Sequence, residues 1–398
     1  MKKKIVFMVI DMNIGGTEKA LLNMISEMPQ EKFDITIYML EKRGGFLQSI
    51  PDYVHIKYLT DYAKVKSQLT LPPFQIVEQL VRKGRWMKGI HFAFIYLLSK
   101  LVNDRGLLYK YILKEYPKDT TEYDIAVAYA GPMDFISFFV LTKLTAKKRI
   151  QWIHFDVNKI GFNKKLAAKL YQNFDKIFVV SDEGKEKLSN VIPNVRHNID
   201  SFSNIVSSEL VRELSDKGSG FVDDFDGIRI LTVGRLSKEK GQDLIIHVLA
   251  KLKELEYNVR WYCIGEGSAR KEYEQLAREL NVEDDFILLG SSANPYPYMK
   301  YCDLYVQPSR HEGYCITLAE ARCFHKPIIT TNFTGANEQI THNETGLIVE
   351  FDESQLLNAI RMILDRQELQ KTFKRNLMKE HIDTSNELDK IYKFANES

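Results

Sequence analysis

The stretch "IRILTVGRLSKEKGQDLIIHVLAKLKE", Ile228 to Glu254, predicts a short apolar strand, a glycine-containing loop and an amphipathic helix. Four further apolar runs follow it at intervals long enough for helices: "VRWYCIGEG", "DFILLGSS", "CDLYVQPS" and "KPIITTN". Strands that alternate with helices predict a parallel sheet covered on both faces. Ligands bind such sheets at the carboxyl ends of the strands. The loop after the first strand is therefore a candidate site.

The first half of the chain shows the same alternation. "KIVFMVI" leads into the glycine loop and helical pattern of "DMNIGGTEKALLNMISEM", and "FDITIYML" follows as a second strand. "YDIAVAYA", "KKRIQWIHF" and "DKIFVV" predict later strands of one sheet. A chain of 398 residues is too long for one ordinary core. We predict an α/β chain of two Rossmann-like, doubly wound parallel-sheet domains that face each other across a cleft.

The predicted division gives residues 1–204 to an N-terminal domain, with a helical insert at about 64–114. Residues 205–227 are predicted to be the linker region, because "SDKGSGFVDDFDG" is rich in Gly, Asp and Ser. Residues 228–375 form the predicted C-terminal domain. Residues 376–398 are expected to form a C-terminal helix that packs back on the N-terminal domain.

Composition narrows the class of protein. The net charge is +2, so the overall balance does not indicate nucleic acid as a partner. The four cysteines form no C-x-x-C pair, which is typical of free thiols in a reducing compartment. The start, "MKKKIVFMVIDMN", lacks a small-residue cleavage site, and no stretch approaches the roughly 20 apolar residues of a membrane span. We expect a cytoplasmic protein.

One segment does not fit the α/β alternation. Arg82, Lys83, Arg85 and Lys88 precede an apolar run rich in aromatic residues. One interpretation is an extra helical pair packed on the first domain. The other is an interfacial element that meets anionic lipid, which would place the protein peripherally at the inner face of the membrane through residues 82–101.

Two groups of charged residues predict a binding site in the second half. Arg235 directly follows a strand and Lys240 lies five residues later, which suits a diphosphate whose charge must be neutralised. In "RHEGYCITLAEA", Glu312 and Glu320 would lie about 12 Å apart if both were on one helix. We therefore place Glu312 in a loop before the helix and Glu320 in its first turns. The N–H groups between them would then face the ligand.

These motifs, together with "GGTEKALLNM", "WIHFD", "IGEGSAR" and "NETGLIV", resemble the retaining, nucleotide-sugar-dependent glycosyltransferases of family 4, which have the GT-B fold. By that resemblance, Glu312 would accept hydrogen bonds from hydroxyls of the donor sugar, and Glu320 would hold the ribose hydroxyls. Arg235 and Lys240 would stabilise the departing diphosphate. His154, in "QWIHFD", would make a polar contact to the reacting sugar.

The resemblance also implies that residues 1–204 are the acceptor domain and residues 228–375 the nucleotide-sugar domain. It further implies backbone contacts to the donor. They come from the glycine loop near the start, from the loops after the second and third strands of the C-terminal domain, and from the segment between the two glutamates. The residues are Gly16, Thr17, Gly265, Leu289, Gly313, Tyr314, Cys315, Ile316 and Thr317. Cys315 stands where the family often has glycine or another small residue, and "ARCFHKP" replaces a more usual run, so the donor sugar stays open.

The implied function is a metal-independent retaining hexosyltransferase that uses no cofactor beyond its co-substrate, a nucleotide sugar, for which a UDP-sugar is expected. It would act on a glycan, polyol or lipid-linked acceptor in cell-envelope polysaccharide synthesis. A glycoside hydrolase or phosphorylase using the glutamate pair is an alternative, disfavoured because a hydrolase has no diphosphate to bind. A non-catalytic nucleotide-sugar-binding scaffold is another. The D-x-D of Asp224 to Asp226 lies in the predicted linker and indicates no metal site.

Overall fold

The computed structural model describes residues 2–397 and divides them into two compact units. Unit one comprises residues 2–13, 28–201 and 391–397, and unit two comprises residues 14–27 and 202–390. Each unit contains a parallel sheet with helices between its strands. The predicted architecture of two doubly wound parallel-sheet domains is therefore confirmed.

The strands of the described chain are β1 (Lys3–Val9), β2 (Phe33–Met39), β3 (His55–Tyr58), β4 (Glu122–Gly131), β5 (Thr145–Ile153), β6 (Lys176–Val179), β7 (Ile199–Ser201), β8 (Ile228–Val233), β9 (Val259–Ile264), β10 (Phe286–Gly290), β11 (Leu304–Gln307), β12 (Ile328–Thr331) and β13 (Leu347–Val349). The helices are α1 (Gly16–Glu27), α2 (Tyr62–Thr70), α3 (Pro73–Arg82), α4 (Trp86–Leu101), α5 (Gly106–Ile112), α6 (Asp134–Lys143), α7 (Lys164–Tyr171), α8 (Asp182–Val191), α9 (Ser208–Ser215), α10 (Gln242–Glu254), α11 (Arg270–Glu279), α12 (Tyr296–Tyr301), α13 (Ile316–Arg322), α14 (Ala336–Gln339), α15 (Glu353–Asp365), α16 (Gln367–Leu377) and α17 (Leu388–Asn396).

The two sheets share one topology. Unit one has the strand order β3-β2-β1-β4-β5-β6-β7, and unit two has the order β10-β9-β8-β11-β12-β13. In both, the order reverses beside the first strand of the unit, which creates a crevice at the carboxyl ends of the strands. The central strands are buried on both faces, as Ile5 to Met8 of β1 show. This explains why they are continuous apolar runs rather than alternating ones.

The structure differs from the predicted division at α1. This helix groups with unit two, although the sequence places it after the first strand of the N-terminal domain. The Asn23 side chain donates a hydrogen bond to the carbonyl of Ile205 at 3.2 Å, and α1 packs against α13. These contacts come from residues far apart in the chain, so local pattern does not show them.

The predicted linker region, 205–227, has structure of its own. It contains α9, whose N-cap Ser207 accepts a hydrogen bond from the Leu210 N–H. Downstream, Phe225 lies against the guanidinium groups of Arg229 and Arg260, with 4.4 Å from the Arg260 carbon to the ring centre. These residues group with unit two.

The helical insert and the C-terminal segment also have more structure than the sequence patterns indicate. The insert forms four helices, α2 to α5, rather than two. At the other end of the chain, residues 376–390 group with unit two and residues 391–397 with unit one. Within unit one, Tyr392 stacks on Phe33, and Lys148 donates to the carbonyl of Phe394.

Candidate functional site

The loops that follow β8, β9 and β10 meet closely in unit two. The N–H of Gly265 donates to the carbonyl of Gly290 at 2.8 Å, and the N–H of Gly234 donates to that of Ile264 at 2.9 Å. Gly265 has φ +153°, and a Cβ there would lie 2.0 Å from the carbonyl oxygen of Gly234. Only glycine fits this position. Gly265, a predicted donor-binding residue, therefore has a structural role, because it lets the ends of β8 and β9 approach each other.

The Arg235 to Lys240 loop is held at both ends. Lys240 ends a short 3-10 turn, and the following Gly241 has φ +73° and would have no room for a Cβ beside the carbonyl of Pro308. The buried Gln242 donates from Nε2 to the carbonyl of Arg235 at 2.9 Å. The two cations are therefore presented from a fixed backbone at the carboxyl end of β8, as the sequence predicts.

Lys240 and Glu312 form an ion pair. The Lys240 Nζ lies 2.6 Å from Glu312 Oε1, and 25% and 10% of the two side chains are exposed. Burial lowers the pKa of Lys240, but the Glu312 carboxylate raises it and the net shift is upward. Nearby Arg235 opposes that rise. Lys240 is therefore charged at neutral pH. The sequence assigns separate roles to Lys240 and Glu312, but in the structure the two side chains form an ion pair.

A buried chain of hydrogen bonds ends on Glu312. The Tyr305 hydroxyl donates to Gln307 Oε1 at 2.8 Å, Gln307 Nε2 donates to Ser309 Oγ at 2.9 Å, and Ser309 Oγ donates to Glu312 Oε1 at 2.7 Å. Tyr305, Gln307 and Ser309 are each 1% exposed. All three donors point toward the carboxylate, so they fix its orientation. Sequence analysis did not predict this series of hydrogen bonds. The pattern that could have indicated it is the spacing of polar groups at every second residue in "YVQPS".

Glu320 lies in a different environment. It is on α13 as predicted, but it is 1% exposed, and its Oε1 accepts a hydrogen bond from the Tyr296 hydroxyl at 2.7 Å. Burial raises the pKa of Glu320, while Lys19 and hydrogen bonds from Tyr296 and Asn23 oppose the rise. The Lys19 ammonium lies 5.0 Å from the centre of the Tyr296 ring. Glu320 therefore ties α13 to α12 and α1.

The segment between the glutamates has an unusual backbone. Cys315 precedes α13 with φ +63°, in the left-handed region that favours glycine. This geometry explains why a glycine suits the position. Burial raises the pKa of its thiol to about 12, so the thiol stays protonated. The Thr317 hydroxyl lies 3.4 Å from the Cys315 sulfur and donates to the Val233 carbonyl at the same distance.

The glycine loop at the start of α1 lies beside this segment. A Cβ at Gly16 would lie 3.6 Å from the Ile316 side chain, and one at Gly15 would lie 3.9 Å from Arg235 Nη2. The structure therefore brings Gly16, Arg235 and Ile316 together within unit two. Leu289, at the end of β10, is 40% exposed. The donor-binding roles of these residues stay predictions.

His154 lies in unit one, at the end of β5. It is buried between aromatic rings, with 4.5 Å between its ring centre and that of Tyr129. Burial lowers the pKa of His154 to about 3, against a hydrogen bond to the Tyr129 backbone. The imidazole is therefore neutral at physiological pH. Its Nε2 has no hydrogen-bond partner among the described residues.

Part of the chain matches a known protein family, and the whole chain superposes on solved structures. Residues 223–380, which contain both cations and both glutamates, match the family described as glycosyl transferases group 1. Anabaena HepE in complex with UDP and glucose superposes with a TM-score of 0.71, 17% identity and coverage of 100% of both chains. The fold is GT-B. GT-B is thus confirmed as the fold class of this chain.

Two glycosyltransferases from other organisms are similar to this chain in sequence. The chain is 31% identical to the N-acetylgalactosamine-N,N'-diacetylbacillosaminyl-diphospho-undecaprenol 4-alpha-N-acetylgalactosaminyltransferase of Campylobacter jejuni, over 53% of this chain and 57% of the relative. It therefore spans little more than half of that relative's length. An uncharacterized glycosyltransferase of Haemophilus influenzae is 23% identical over 95% of this chain and 96% of its own length.

Among the helices of residues 2–397, none combines the length and the apolar character that crossing a bilayer requires. Residues 2–397 also contain no group of three or more His, Cys, Asp or Glu side chains placed to hold a metal ion.

Proposed function

We propose that this GT-B chain is a retaining, metal-independent glycosyltransferase. It moves a hexose or N-acetylhexosamine from a nucleoside diphosphate sugar, with UDP as the nucleotide, to a glycan, polyol or lipid-linked acceptor in cell-envelope polysaccharide synthesis. The observation that carries the proposal is the Lys240–Glu312 ion pair beside Arg235, at the carboxyl end of the unit-two sheet. The UDP bound to Anabaena HepE and the lipid diphosphate in the Campylobacter relative's name support the donor and acceptor classes.

The proposed roles follow from the charges of the pair. A bound diphosphate would attract both Arg235 and Lys240, and would compete with Glu312 for the Lys240 ammonium. Glu312 would then be available to accept hydrogen bonds from sugar hydroxyls while Ser309 keeps its carboxylate oriented. The two cations would stabilise the negative charge that grows on the leaving diphosphate. Cations placed in this way supply the charge that a metal ion provides in other transferases.

The proposed stereochemistry is retention. The acceptor hydroxyl would attack from the face that the diphosphate leaves, and the leaving phosphate oxygen would take its proton. A general base is then not needed, and the neutral imidazole of His154 could serve as a polar contact to the sugar rather than as a base. This role of His154 stays a prediction.

The test is release of nucleoside diphosphate from a panel of UDP-, GDP- and ADP-sugars in the presence of EDTA, with a panel of acceptors. We expect release from one donor that persists in EDTA and is lost in Arg235→Ala. NMR of the product would show whether the anomeric configuration of the donor is kept. Release that requires a divalent metal, or an inverted product, would contradict the proposal. Donor binding without turnover for every donor and acceptor would favour the scaffold alternative.

A further inference from the structure

The helical insert of unit one carries an apolar stripe on α4. Its six members are separated by one, three or four residues and recur along the whole helix. They are Trp86, Met87, Ile90, Phe94, Leu97 and Leu101, each between 59% and 84% exposed. At 3.6 residues per turn they fall within one sector of about 100° around the helix axis.

The opposite face of α4 does the packing. Gly89, Phe92 and Ser99 are the buried residues of this helix. A Cβ at Gly89 would lie 3.5 Å from the Val77 side chain and 3.7 Å from that of Leu80, both on α3. Unit one therefore holds α4 through one face only. The stripe is not needed for the helix to pack, and monomeric proteins rarely leave a contiguous apolar surface of this kind exposed without a function.

Basic residues adjoin the stripe. Residues 81–101 contain five Lys or Arg residues and no Asp or Glu. Two of the five have acidic partners: Arg82 pairs with Glu78 at 2.5 Å, and Lys88 pairs with Glu115 at 2.6 Å. Lys83 and Arg85, in the exposed turn between α3 and α4, form no ion pair within the described residues.

We propose that the α4 face, residues 82–101, docks on an anionic membrane surface. The stripe would enter the boundary between headgroups and acyl chains, and Lys83 and Arg85 would contact lipid phosphates. At 16 residues α4 is about 24 Å long, which suits a helix lying in the plane of the interface rather than spanning it. The proposal concerns unit one alone and does not depend on the proposed reaction.

Charge complementarity favours a membrane over a second copy of the chain. Two α4 faces packed together would bring Lys83 and Arg85 of both copies to one interface, with no acidic residue in either 81–101 segment to neutralise them. An anionic bilayer offers an apolar layer beneath a negative surface, which matches both features of the face.

The experiment is flotation of the full-length chain with vesicles of phosphatidylcholine alone and of phosphatidylcholine and phosphatidylglycerol in equal parts. We expect binding to the anionic vesicles that weakens at high salt. The charge variant Lys83→Glu/Arg85→Glu should lower that binding by at least about tenfold, since each basic residue near the surface contributes about fivefold. The stripe variant Phe94→Asp/Leu97→Asp should lower it by a similar factor.

The matched control replaces two exposed apolar residues of unit two, as Val222→Asp/Met378→Asp, which should bind like the unaltered chain. Circular dichroism checks that each variant is folded. Absence of vesicle binding, or binding that neither variant of the face reduces, would overturn the proposal. A dimer in sedimentation that Phe94→Asp/Leu97→Asp dissociates, without vesicle binding, would assign the face to a second copy instead.

Discussion

Glu312 and Glu320 are eight residues apart in the chain, one just before α13 and the other within it. Glu312 is paired with a charged lysine whose side chain remains 25% exposed. Glu320 is enclosed and accepts hydrogen bonds from two neutral side chains, Tyr296 and Asn23. A carboxylate bonded to a partly exposed cation can exchange partners with a ligand, whereas an enclosed one mainly holds its neighbours in place. The same residue type is therefore proposed to act on the ligand at one position, while at the other it joins helices and its ribose-binding role stays a prediction.

The largest expected effect is on turnover and belongs to Glu312. Glu312→Ala removes the acceptor proposed for the donor sugar's hydroxyls, and we expect turnover to fall by at least about a hundredfold, or about 2.7 kcal/mol. The free energy of unfolding should change little, because the site is partly open. Turnover would be measured with the donor that the panel identifies. Normal turnover in Glu312→Ala would contradict the proposed role of Glu312 in binding the donor sugar.

The next effect is on stability and belongs to Glu320. Glu320→Ala leaves the Tyr296 hydroxyl without its acceptor and creates a cavity, so we expect a loss of about 2 kcal/mol in the free energy of unfolding. Urea denaturation measures this loss, and Glu312→Ala is the matched control. Equal stability of the two variants would show that the environments do not differ as described.

A smaller effect is expected along the hydrogen-bonded chain. Ser309→Ala removes a donor to Glu312 but leaves the Lys240 pair intact, so turnover should fall by about tenfold, or about 1.4 kcal/mol. The fall should be in kcat rather than KM, since Ser309 acts by positioning Glu312. Tyr305→Phe, two hydrogen bonds further away, should have a smaller effect. A larger loss of turnover in Tyr305→Phe than in Ser309→Ala would contradict the view that these hydrogen bonds act by orienting Glu312.

The free energy of unfolding should depend on pH through the titration of Glu320. Its pKa is raised in the folded chain, mainly by burial. Its contribution to stability is therefore fully present below the unfolded-state pKa of about 4.3 and is lost as pH rises through the folded-state value. Glu320→Gln keeps an acceptor for Tyr296 and carries no charge, so it should gain stability relative to the unaltered chain as pH rises from about 4 to 7. Urea midpoints across this range test it, and a constant difference would show that Glu320 does not titrate as described.

Much of this site could be predicted from sequence because it depends on local pattern. The strand-loop-helix at Ile228 to Glu254 placed Arg235 and Lys240, and the spacing in "RHEGYCITLAEA" placed Glu312 before the helix and Glu320 on it. Which partners these residues take depends on contacts between distant segments, such as Lys240 with Glu312 and Glu320 with Tyr296. The series of hydrogen bonds from Tyr305 to Ser309 was not predicted, because polar residues in a strand usually indicate a solvent-facing side.

The pairing of Lys240 with Glu312 gives the most direct test. Affinity for the nucleoside diphosphate product would be measured by calorimetry in the unaltered chain, in Lys240→Met and in Glu312→Ala. Because the diphosphate and Glu312 compete for Lys240, binding should weaken in Lys240→Met and be unchanged or tighter in Glu312→Ala. Equal weakening in both variants would contradict the view that the pair exchanges its lysine with the ligand.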